Sequence, residues 1–193
     1  MKFFALFFTL STLLFAELEI SFPEDEEVVD YKSIVAFEFG LGSLSRPKVN
    51  TISGEADIKR DFTNLGFKLG AEDIGLRLFL SYRPIILQDA TAQSFGIELD
   101  SMIDLSSKMK FFYGLAVGGL LYEIVDKNET STYKTSWNNY YGFGTGLVFE
   151  ISKQFEIEFS GRYSITNIND DSVDSSYVFD QFMNYYIGLN YKF

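Results

Sequence analysis

At 193 residues the chain has the length of a single domain, and it contains neither cysteine nor histidine. Those two absences remove disulfides, thiol chemistry, a lipoprotein anchor, the commonest catalytic base and the commonest transition-metal ligand. A formal net charge of -11 argues against a nucleic-acid partner, since neutralising phosphate takes Lys and Arg.

From the N-terminus, residues 1–16 read as a signal peptide: Lys2 supplies the positive start, residues 3–15 an apolar run, and Ala16 a small residue before a cut, although Leu14 stands where a small residue is usual. Residues 17–32 follow as an acidic segment carrying Glu24, Asp25, Glu26 and Glu27, expected to be solvated on the periplasmic side. Residues 33–193 are expected to form the folded domain.

Within that domain no apolar run reaches the ~20 residues of a spanning helix. The recurring pattern has period two and predicts eight strands, at residues 33–43, 62–70, 74–83, 94–104, 110–122, 140–151, 155–165 and 184–193. In the third, Ile74, Leu76, Leu78, Leu80 and Tyr82 alternate with Gly75, Arg77, Phe79, Ser81 and Arg83. In the fourth, Phe95, Ile97, Leu99 and Ile103 alternate with Gly96, Glu98, Asp100 and Asp104. The fifth is apolar on both faces, and its parity rests on Gly114, Ala116 and Gly118 sharing a side. The seventh is clearest: Phe155, Ile157, Phe159, Tyr163 and Ile165 line one face, Glu156, Glu158, Ser160, Arg162 and Ser164 the other. On a helix those charges would scatter around the cylinder.

Tight connections are expected around residues 71–73, 105–109 and 152–153, and long ones at 44–61, 84–93, 123–139 and 166–183. This strict alternation is the asymmetry of outer-membrane barrels, short periplasmic turns against longer extracellular loops, and it returns both chain ends to the periplasmic side. All three prolines, Pro23, Pro47 and Pro84, are placed in the tail or loops, where a missing N–H breaks no ladder. Strands of about ten residues, rising ~3.3 Å each and tilted ~45°, cover roughly 23 Å, close to the ~25 Å apolar band of such a barrel. Aromatic residues of the apolar face (Tyr82, Phe95, Phe111, Tyr113, Tyr141, Phe149, Phe155, Tyr163, Tyr185, Tyr191 and Phe193) fall near strand ends, where interfacial girdles belong. The opposite face mixes glycines with isolated charges, which suits a narrow lumen better than a solvated exterior. An open sheet edge in hydrocarbon would leave backbone groups unpaired, so the strands should close. The expected fold is an all-β, eight-stranded, antiparallel, up-and-down transmembrane β-barrel in the outer membrane, in contact with its lipid.

The last strand ends in Phe193 and carries Tyr185, Ile187, Leu189 and Tyr191 at every second position before it. It resembles the C-terminal signature of outer-membrane β-barrel proteins, and the resemblance implies that these residues are read by the barrel-assembly machinery. The chain from residue 17 onward is similar in layout to the small OmpA/OmpX-type barrels, a resemblance of architecture that implies little about activity.

Twelve charged residues are expected to face inward: Glu38, Lys68, Arg77, Arg83, Glu98, Asp100, Asp104, Glu150, Glu156, Glu158, Arg162 and Lys192. An ion path or acid–base site is one reading. A self-satisfying ion-pair network is favoured, because an unpaired charge in a dry interior costs several kcal/mol. Lys192 and Glu156 are expected to pair. Carboxylates outnumber cations in this set. The loop run Asn167, Asn169, Asp170, Asp171 and Asp174 offers oxygen ligands without the spacing of a calcium loop, and reads as a solvated surface. Asn128, in an Asn-Glu-Thr context, fits a glycosylation acceptor, a short pattern that arises often by chance. Enzymatic barrels that modify lipid resemble one another in using a histidine, which is missing here, and no serine sits in a nucleophile motif. No metal, cofactor or catalytic residue is therefore expected. Function is placed on the surface loops, as a non-enzymatic protein of envelope integrity or adhesion with an extracellular ligand, with a narrow channel as the alternative and a lipid-modifying enzyme behind it.

Overall fold

The period-two pattern becomes nine β-strands in a computed structural model that describes residues 31–46, 58–87, 90–125, 132–134, 137–166 and 179–193. They are β1 (Lys32–Arg46), β2 (Ile58–Asp73), β3 (Leu76–Ile86), β4 (Ala90–Ser106), β5 (Met109–Val125), β6 (Thr132–Lys134), β7 (Asn138–Glu150), β8 (Phe155–Thr166) and β9 (Gln181–Lys192). Eight of them close a barrel in the order β1-β2-β3-β4-β5-β7-β8-β9, with β9 returning to β1, and among the described residues the three-residue β6 pairs with β5 alone. Every pairing is antiparallel. The seam between first and last strand is sealed to the last residue, with Ser33 and Phe193 exchanging two backbone hydrogen bonds of 3.0 Å. The expected signal peptide at residues 1–16, the acidic segment up to residue 30, Asn128 and the acidic loop run at residues 167–174 lie outside the described residues.

Register follows from the charges. Glu156, Glu158, Arg162 and Ser164 of β8 are buried, while Phe155, Phe159, Tyr163 and Ile165 between them are exposed. Shifting such a strand by one residue would send its ions outward, at ~2–4 kcal/mol for each Arg or Lys at a bilayer midplane.

Two connections differ from the expectation. β2 runs on to Asp73, so the turn into β3 is the pair Ile74–Gly75 and not residues 71–73. Gly75 takes φ = 73°, the left-handed region that a side chain disfavours, and the Asp73 carboxylate accepts a 2.7 Å hydrogen bond from the Ile74 N–H. At the opposite end β3 and β4 extend through most of residues 84–93, expected as loop, leaving three residues between them, so the expected strict alternation of short and long connections fails at this one. Pro84 is thus inside a strand, facing Gln93 of β4. On its other side the β2–β3 ladder is interrupted between Asn64–Ile85 and Phe67–Tyr82, opposite the missing N–H. The proline sits in a strand at the cost of that local break.

Candidate functional site

Inside the barrel, side chains divide into a charged zone toward the short turns and an apolar zone toward the long connections. Short turns of outer-membrane barrels face the periplasm, and in that expected orientation the apolar zone is the outer one.

Nearest the short turns, Glu72 and Glu156 bind three cations. Arg77 Nη2 lies 2.7 Å from Glu72 and 2.6 Å from Glu156, Lys192 Nζ 2.8 Å from Glu72 and 2.5 Å from Glu156, and Lys110 Nζ 3.0 Å from Glu72. The expected Lys192–Glu156 pair forms. Above them a second group runs across the lumen. Lys68 sits 2.7 Å from Glu38 and 3.2 Å from Glu158; Arg83 joins Glu38 at 2.7 Å to Glu98 at 2.5 Å; and Arg162 grips both oxygens of Glu98. Asn190 donates to Glu158 at 3.3 Å. The two arginines lie over the Tyr186 ring, at 5.1 and 5.5 Å, and Lys68 over Phe79 at 4.6 Å. These ions are nearly all fully buried, so each needs its partner: removing one member of a buried pair strands the other in a low dielectric.

Ten of the twelve residues expected inside are there and buried: Glu38, Lys68, Arg77, Arg83, Glu98, Asp100, Glu156, Glu158, Arg162 and Lys192. Asp104 and Glu150 are corrections. Both have inward parity, but Asp104 is exposed and Glu150 half-buried beside the short turns, and neither joins an ion pair among the described residues. They lie at the rim, where water solvates them. Two members were missed. Glu72 was hidden by placing the turn at residues 71–73, and Lys110 by sitting at a predicted strand start; continuing the β2 alternation two residues past Gly70 finds Glu72. With these changes the excess of carboxylates disappears. Glu38, Glu72, Glu98, Asp100, Glu156 and Glu158 face an equal number of cations, Lys68, Arg77, Arg83, Lys110, Arg162 and Lys192. Asp100 alone of these carboxylates makes no direct ion pair among the described residues.

Toward the long connections the lumen fills with Leu44, Phe62, Ile85, Leu87, Ala92, Ala116, Leu120, Tyr122, Tyr140, Phe179 and Phe182. Tyr140 meets Phe182 edge-on at 5.6 Å, and Tyr122 meets Phe179 in the same way at 5.9 Å. This plug explains why β5 reads as apolar on both faces: its inward Leu120 and Tyr122 belong to the plug, its outward Leu115 and Val117 to the exterior.

Outside, the barrel carries a continuous apolar belt, including Phe37, Leu65, Leu78, Leu99, Leu115, Phe143, Phe159 and Ile187. The proposed C-terminal signature residues Tyr185, Ile187, Leu189, Tyr191 and Phe193 are exposed on it. Trp137 lies across Gly119, where a Cβ would collide with its ring, and stacks on Phe95 at 6.1 Å. A surface greasy all round and closed on itself needs an apolar solvent, because water would leave that area unburied.

An apolar exterior, a charged interior and a closed ladder define a transmembrane β-barrel of the outer-membrane type. Solved proteins share the fold: Neisserial surface protein A is 15% identical with a TM-score of 0.65, covering 84% of this chain and 97% of that one. Outer membrane protein H from P. aeruginosa is 18% identical with a TM-score of 0.55, covering 84% and 99%. The attachment invasion locus protein of Yersinia pestis, solved with the heparin analogue sucrose octasulfate, is 13% identical with a TM-score of 0.51, covering 84% and 99%. No protein-family model matches the sequence, and no curated protein matches it as a relative. Identities this low show the fold alone.

Proposed function

We propose that this chain is an outer-membrane surface protein that works through its long connections, as a non-enzymatic contributor to adhesion or envelope integrity. The observation that carries the reading is the filled lumen. Among the described residues an ion-paired lower zone and an aromatic plug above it fill the lumen, which favours the outward loops as the working surface. A barrel of the same fold was solved in complex with a heparin analogue, which fits a role in recognition. Here the net charge of -11 and the run of Asp170, Asp171 and Asp174 disfavour a polyanion, so the partner is expected to be neutral or basic. The exposed Tyr185, Ile187, Leu189, Tyr191 and Phe193 would serve the barrel-assembly machinery, and the belt would contact outer-membrane lipid.

The test is binding of cells displaying the full chain to immobilised host-matrix and basic proteins, against cells displaying a chain with its long connections cut to short turns. Binding that follows the loops supports the reading; equal binding by both overturns it. The alternative, a narrow ion channel, draws on the charged lumen. Reproducible conductance steps in a planar bilayer, abolished by Arg77→Gln or Arg162→Gln, would establish it in place of the closed barrel. A mass change in lipid A or phospholipid incubated with the purified barrel would establish the lipid-modifying enzyme.

A further inference from the structure

Between the ion network and the plug, one wall of the lumen carries polar atoms that no neighbour satisfies. Asn64 on β2, Asn184 on β9, and Arg162 and Ser164 on β8 are all more than nine-tenths buried. Both the Oδ1 and Nδ2 atoms of Asn64, the Oδ1 of Asn184, the Nε of Arg162 and the Oγ of Ser164 find no hydrogen-bond partner among the described residues. These atoms are neighbours. Gly40 of β1 stands opposite Asn64, and a Cβ there would meet the side-chain oxygens of both asparagines. Asn184 faces Arg162 across the β8–β9 pair, and Ser164 and Arg162 face Gly142 and Gly144 of β7. At Gly144 a Cβ would come no nearer than 3.6 Å to Arg162 Nε, so the wall has space on that side.

Buried amides and hydroxyls are almost always hydrogen-bonded, to protein or to water. The chemistry of this set narrows what completes it. A cation is repelled by the Arg83 and Arg162 guanidiniums, which converge on the adjacent Tyr186 ring. An anion is disfavoured by two amide oxygens, and by Glu98, which already holds the Nη atoms of Arg162. What remains is a small neutral species that both donates and accepts. We propose that this wall is an internal hydration site, in which bound water bridges Asn64, Asn184, Ser164 and Arg162 Nε beneath the apolar plug. Gly144 leaves space beside Arg162 Nε, and the plug shields the site from bulk solvent on the long-loop side.

The test uses the full barrel, folded in detergent micelles with asparagine labelled in its side-chain nitrogen; the Asn64→Leu variant assigns the Asn64 signal. Water–protein cross-relaxation at the Asn64 side-chain amide, with the sign of a long-lived water, is expected. A resolved Asn64 amide with no water cross-peak overturns the proposal. The Asn64→Leu/Asn184→Leu double variant adds a second readout. If water fills the site, the change strips partners from Ser164 and Arg162, and the urea midpoint falls. If the atoms are dry and unsatisfied, removing them raises the midpoint or leaves it unchanged, which also counts against hydration. Should the double variant fail to fold, the wild-type cross-relaxation decides.

Discussion

Glu72 and Arg77 face each other across the two-residue turn between β2 and β3, and the carboxylate Oε2 takes hydrogen bonds or ion-pair contacts from Arg77 Nε at 2.8 Å and Nη2 at 2.7 Å. The same carboxylate holds Lys110 and Lys192, so it ties β2 to β3, β5 and β9 at the short-turn end. Glu72→Leu would leave Arg77 and Lys192 sharing Glu156, and would take from Lys110 its ion pair with Glu72. The expected loss is about 3–5 kcal/mol, the cost of breaking a buried pair from one side. Urea unfolding of the barrel in lipid vesicles measures it, and a loss below about 1 kcal/mol would mean that the cluster is solvated as a surface pair is.

The plug predicts a different kind of damage. Phe182 is buried against Tyr140, and its truncation leaves a cavity that neighbouring strands cannot collapse to fill. Phe182→Ala should cost about 3–5 kcal/mol in the same unfolding experiment, in the range of large-to-small aromatic changes. An unchanged midpoint would show that this zone is loosely filled.

On the outer face, Gly119 is the position that lets Trp137 lie flat against Phe95. Trp137 is the chain's one tryptophan, so its emission reports this contact without interference. Gly119→Val should displace the ring, shift the emission maximum, and cost about 0.5–1.5 kcal/mol of aromatic contact while the barrel stays closed. Emission unchanged from the unsubstituted protein would place Trp137 elsewhere.

Much of this architecture is legible in the residues, for a physical reason. Where one face is ionic and the other apolar, as along Glu156, Glu158 and Arg162 of β8, period two admits a single register. The reading weakens where a face changes character along its length. β5 conceals its inward side because Leu120 and Tyr122 serve a plug that no local pattern announces; recognising it takes Phe62, Phe179 and Phe182 brought together by closure. Strand ends are read from turn chemistry, and there a displacement of three residues moved Glu72 from the centre of an ion cluster into a supposed turn. Pro84 misleads in the same way: the residue argues for a loop, but the ladder bends around its missing N–H. The polar wall formed by Asn64, Asn184 and Ser164 gives no sequence signal at all, since single amides and hydroxyls acquire meaning only from what fails to bond them.

The account rests on odd-numbered β5 residues touching lipid while even-numbered ones are shut inside. Leu115 is 65% exposed and Ala116 beside it 3%. Because the chain has no cysteine, single Cys substitutions can carry a nitroxide at each position from Tyr113 to Val117 in turn. In lipid vesicles, collision with dissolved oxygen should be high at positions 113, 115 and 117 and low at 114 and 116, while a polar nickel chelate should reach none of the odd positions. Strong nickel-chelate collision at 115, or oxygen access without the period of two, would contradict a membrane-spanning barrel.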